Sequence, residues 1–256
     1  MTRARAALHA EWTKQRTLPG TLWLLAVAAV LTVAVSAAAV AATTCRPGAE
    51  CPVDTAKLSL TGVQFGQAVV AVLAVLALGG EYSTGMIRTT LTAIPRRSTV
   101  LAAKAVTVVV PVLAMATVAV LGSLLAARLL LPGRGLPAMS LSDGAVLRAA
   151  VGSVLYLVLI ALLSLGLAAA VRDSAVSVGL VLGLLYLFPI VAAAAANPRW
   201  QRRLEQIGPM NAGLKIQATT DLHSLAISPW GGLGVLAAWS AAALLAGGLL
   251  LRLRDA

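Results

Sequence analysis

Few residues in this chain could do chemistry. Histidine, the side chain best suited to acid–base work and metal binding near neutral pH, occurs twice, as His9 and His223. There is no H-E-x-x-H ligand pair, no G-x-S-x-G nucleophile turn and no pair of carboxylates inside an apolar run. The phosphate-cradling pattern G-x-x-x-x-G-K-[ST] is absent too, so the chain itself is expected to bind no cofactor and to catalyse no reaction. The only thiols, Cys45 and Cys51, share one short stretch, TTCRPGAECPVD. In an oxidising compartment they could close into a small staple; two free thiols are the alternative. What remains is a concentration of charge. Residues 79–104, GGEYSTGMIRTTLTAIPRRSTVLAAK, place Glu81, Arg88, Arg96, Arg97 and Lys104 between long apolar runs. Such a segment is either a docking surface for a partner or a solvated loop whose bases flank the membrane.

The elements that position it follow from composition. The 256 residues are 59% hydrophobic and 11% charged, against about a quarter charged in a soluble domain. So few ionisable groups cannot cover a water-facing surface, and the expected solvent is lipid. Between successive Asp, Glu, Lys or Arg there are six runs of 23 residues or more, at 17–45, 58–80, 105–127, 149–171, 174–198 and 222–251, and no other gap exceeds nine. About 20 apolar residues cross a bilayer core, so the expectation is an all-α polytopic protein with six spans near 21–43, 59–80, 101–131, 147–171, 175–197 and 229–251. Alternating ten-residue segments of a β-barrel are missing.

The net charge of +11 is spread between the spans, without the basic face and interleaved aromatics of a nucleic-acid binder. Bases of this kind meet lipid headgroups and set orientation. Both termini are expected on the cytoplasmic side, which puts eleven Lys and Arg inside and nine outside; the first two spans, four against two, carry the bias. Before the first span, residues 1–20 place Leu8 and Trp12 four apart, with Arg5, His9 and Arg16 on another side, ahead of Pro19–Gly20. That spacing fits an interfacial helix.

Within the charged segment, Ser83 or Thr84 can cap a helix and Pro95 disfavours helical geometry at Ile94. The piece between is too short to cross a membrane. Ile87, Leu91 and Ile94 form one apolar edge, as in a short helix that docks into a groove; a solvated loop with flanking arginines is the alternative.

The pattern Glu81, Thr84–Gly85, Arg88, Leu91, Pro95, Arg97 and Lys104 resembles the cytoplasmic segment of permease subunits of ATP-binding-cassette transporters, in particular the type-2 export family. The likeness extends to the layout of the whole chain. It implies a coupling helix after span two, contacting an ATPase subunit through Glu81, Thr84, Gly85, Ile87, Arg88, Leu91 and Arg97. It also implies ATP and Mg bound by that partner, a second permease copy or paralogue, membrane lipids as surroundings and the cell membrane as location. The inner turn at Arg172 and Asp173 would approach the same ATPase, or would only fix topology. A hairpin before the last span, with Trp200, Leu204 and Ile207 at i, i+4 and i+7, would rest on the outer surface. A non-transporting membrane scaffold and a secondary transporter are the competing readings. The spans hold two small-xxx-small motifs, Gly62/Gly66 and Gly179/Gly183, two prolines, Pro111 and Pro189, and two amides, Gln64 and Gln67.

Overall fold

The computed structural model describes residues 12–13, 19–45, 53–83, 85–86, 97–132, 134, 136, 140, 143–194 and 197–253. These form helices and connecting turns, with no strand among them. In chain order the helices are α1 (Pro19–Ala42), α2 (Thr55–Ser59), α3 (Val63–Ser83), α4 (Arg97–Leu130), α5 (Gly144–Val171), α6 (Ser174–Leu182), α7 (Phe188–Ala194), α8 (Pro198–Ile207), α9 (Pro209–Gly213) and α10 (Pro229–Leu253). A π-helical turn, Gly183–Leu187, joins α6 to α7, and short 3-10 turns follow α9.

Six helical segments are long and apolar enough to cross a membrane: α1, α3, α4, α5, the α6–α7 unit and α10. The shortest, Val63–Tyr82, has 20 residues and so rises about 30 Å, the thickness of a hydrocarbon core. Their outward faces expose large apolar side chains such as Trp23, Val118, Leu129, Ile190 and Leu245, a surface suited to lipid and unsuited to water. The end at which α1 begins is called here the near end. It also holds the close of α3, the start of α4, the α5–α6 turn and the close of α10.

Helix α5 is the axis of the bundle. It packs against α3, α4, α6 and α10, and its buried residues run from Val146 to Ala169. Helix α1 lies on α3 and α4. Gly62 and Gly66 make that approach possible: a Cβ on Gly62 would overlap the Thr32 carbonyl oxygen, and one on Gly66 would overlap the Thr32 hydroxyl. The Gly62 amide donates to Ser36 Oγ at 3.0 Å. This small-xxx-small pair therefore serves contact within the chain. At Gly179 and Gly183 a Cβ would meet no described atom, so that motif faces outward.

Pro111 sits inside a continuous α4. Pro189 is handled differently. It has no N–H for the carbonyl four residues back, and the wider π turn falls on that part of the helix. The second span starts at Val63, later than the apolar run suggests. Asp54 caps the separate helix α2, accepting from Lys57 N at 3.0 Å, and the chain turns through Leu60–Gly62 before α3 begins.

Candidate functional site

At the near end, charged side chains tie four of the spanning units together. Lys104 in α4 lies 2.9 Å from Glu81 in α3, and its ammonium also donates to the Ala77 carbonyl at 3.2 Å. Both residues are buried, at 2% and 5% exposure. Removing two charges from water is costly, and the arrangement is tolerable only because the partners face one another and the lysine gains an extra acceptor. The pair fixes the two helix ends that bracket residues 84–96.

Beside it, the α5–α6 turn contributes Arg172. Its backbone is left-handed, with φ 64°, and its N–H closes α5 on Ala168 O at 3.0 Å. The guanidinium lies over the Tyr82 ring, 5.9 Å from the centroid, and donates to Leu250 O of α10 at 3.1 Å. Asp173 caps α6 through Val176 N at 2.8 Å. Arg172 thus joins α3 and α10, whereas Asp173 starts a helix.

At the far end the chain packs a segment of itself, called here the plug, into the bundle. After α8 the segment 209–218 turns back into the bundle, and Met210, Ala212, Ile216, Gln217 and Ala218 are buried there. Glycines shape its socket: a Cβ on Gly152 would collide with Ile216, and one on Gly232 would overlap the Ala212 carbonyl. Polar contacts fix the plug at several depths. Deepest, Gln67 Nε2 donates to Met210 Sδ at 3.2 Å while Gln67 Oε1 accepts from the Tyr156 hydroxyl. Above that level Gln217 Nε2 donates to Ser153 Oγ at 3.0 Å, and Arg148 donates to Ala218 O at 2.6 Å. At the rim Asp54 accepts from Thr219 N at 2.6 Å, Thr219 Oγ1 at 2.7 Å and Thr220 N at 3.2 Å. Burial pushes the Asp54 carboxyl up, but these donors together with Lys57 N outweigh it and hold the pKa below its ordinary value.

Helix α8 lies over the plug. Trp200, Leu204 and Ile207 share one edge; Leu204 is partly buried, while Trp200 and Ile207 are exposed. Arg203 stacks 5.7 Å from the centre of the Trp200 ring, and Trp239 Nε1 of α10 donates to Ile207 O at 2.9 Å. Tyr186 of the π turn donates to Gln64 O at 2.6 Å.

Of the residues singled out in the charged segment, Glu81 is in the buried pair and Gly85 adopts φ 72°. Thr84, Ile87, Arg88 and Leu91 lie outside the described residues, as does the Arg97 side chain at the start of α4. Of the N-terminal segment 1–20, Trp12 and Thr13 are helical and Pro19–Gly20 begin α1; the rest is outside that description. Cys45 is disulfide-bonded and its amide donates to Arg134 O at 2.9 Å; Cys51 lies outside the described residues. No group of three or more His, Cys, Asp or Glu able to hold a metal occurs among the described residues.

The sequence reading did not foresee Tyr156, Met210, Gln217 or Asp54 as partners. A signal existed for one of them: Tyr156 is a lone phenol in the middle of an apolar run, and a buried hydroxyl needs an acceptor. No family model matches the chain, and no curated protein matches it.

Proposed function

We propose that this chain is the membrane-spanning permease subunit of an ATP-driven exporter, working with a separate ATPase that binds ATP and Mg. In this reading it resides in the cell membrane with both termini cytoplasmic, beside a second permease copy or paralogue. The observation that carries it is the buried Glu81–Lys104 pair. A loop that served topology alone would need no costly internal ion pair at its two ends. A segment that must pass force into α3 and α4 does, because a firm mount converts a push on the segment into movement of both helices. Arg172 extends the mount to α10. The far-end plug supplies the other requirement of alternating access, a closure opposite the driven end.

The reading is tested by purifying the tagged protein from its own membranes in mild detergent, wild type beside Arg88→Glu. An ATPase that accompanies the wild type and is lost from the folded variant is the expected result. Intact wild-type protein that brings down no ATPase would overturn it and leave a scaffold, or a transporter driven without ATP.

A further inference from the structure

A cavity of about 310 Å³ opens at the far end between the plug, α7 and α8. It lies within the range of small-molecule sites. One wall is apolar, formed by Pro189, Ala192 and Ala193 of α7. The lining also holds two lysines from distant parts of the chain, Lys57 of α2 and Lys215 of the plug. The only carboxylate in the lining is Glu205 of α8, so two cations face one anion. That carboxylate stands 3.8 Å from Lys215, beyond hydrogen-bond length. Lys57 is exposed and makes no ion pair among the described residues. Amide groups of Gln64, Gln201 and Asn211 complete the polar side.

We propose that this cavity binds an oxyanion, the phosphate or carboxylate of a ligand whose apolar body rests on the α7 wall. Lys57 and Lys215 donate charge-assisted hydrogen bonds to it, and Glu205 holds Lys215 in place when the site is empty. The site does not depend on the ATPase reading. It does touch the plug, since Met210 and Leu214 also line it, and a bound anion therefore bridges the plug and α2. Two sources carry this chemistry, a lipid headgroup and free phosphate.

The test is calorimetric titration of the full chain in neutral phosphatidylcholine nanodiscs. One arm uses short-chain phosphatidylglycerol below its micelle concentration, a second short-chain phosphatidylcholine, and a third inorganic phosphate. Phosphatidylglycerol is expected to bind, and K57Q/K215Q to weaken it by about tenfold or more as the charge-assisted bonds are lost. K57R/K215R should keep the binding, and E205Q should tighten it by releasing Lys215. Binding of the lipid without phosphate assigns the site to an amphiphile; binding of both assigns it to the free oxyanion. Equal affinity of wild type and K57Q/K215Q for phosphatidylglycerol, equal affinity for the two lipids, or no binding of either anion overturns the proposal. Lys57 is exposed and Lys215 partly buried, and an unchanged melting curve for each variant shows that the fold is intact.

Discussion

Arg172 holds Tyr82 and Leu250 at once, with its guanidinium 5.9 Å from the tyrosine ring centre and 3.1 Å from the leucine carbonyl oxygen. A left-handed turn position favours glycine, since a Cβ there costs about 1–2 kcal/mol. Arginine at such a position therefore marks a side chain whose contacts outweigh the strain. Arg172→Gly should relieve the backbone yet lower the apparent Tm in detergent by several degrees. If the turn served topology alone, the same change would leave Tm unchanged or raise it.

The buried pair makes a sharper expectation. Glu81→Gln or Lys104→Met alone should cost about 3–5 kcal/mol, because each leaves one charge stranded in an apolar surround. The double variant should regain most of the loss. Monodisperse yield on size exclusion, with apparent Tm beside it, reads this out. A double variant as poor as either single one would mean that the two side chains act independently.

How far the fold was legible depended on which force dominated each segment. Six charge-free runs gave six spans, because exclusion of charge from lipid is strong and leaves a plain trace. The same rule misplaced the helix ends near the charged segment. Treating charge as the edge of a span ended the second span at residue 80 and left Glu81 in a loop, whereas α3 runs through Ser83; the third span, expected from residue 101, starts at Arg97. A charge with a partner across two helices can lie inside the bundle, and spacing along one chain does not reveal partners 23 positions apart. The edge Trp200, Leu204, Ile207 was readable because it repeats at helical spacing, and a helix does occupy Pro198–Ile207. The plug after it was not, since GPMNAG reads as a turn and the burial of residues 209–218 depends on Gly152 and Gly232 in distant spans.

That dependence can be tested. Gly152→Leu adds a side chain where Ile216 now sits, so the plug must shift. Amides of residues 209–218 should exchange with deuterium faster than in wild type, while those in the middle of α3 stay protected. Unchanged exchange in the plug would mean that it does not rely on the small residue.

The rim contact gives a pH dependence. The folded Asp54 carboxyl ionises at lower pH than a free one, so its contribution is fully present above the ordinary value of about 3.9 and is lost as pH falls through the folded value. Amides of Thr219 and Thr220 should lose protection as pH is lowered through that acid window, beyond the intrinsic change in exchange rate. In Asp54→Asn this dependence should be gone and protection lower already at neutral pH. Retention of the acid loss in Asp54→Asn would assign it to another group.

The plug meets the bundle through Gln67 on Met210, Ser153 on Gln217, Arg148 on Ala218 and the glycine sockets. Its withdrawal would strip those amides and carbonyls of their acceptors and donors within a buried cluster that includes Leu60, Leu236 and Ile160. Only incoming solvent could replace them. Lifting of the plug and wetting of those buried groups are then a single event.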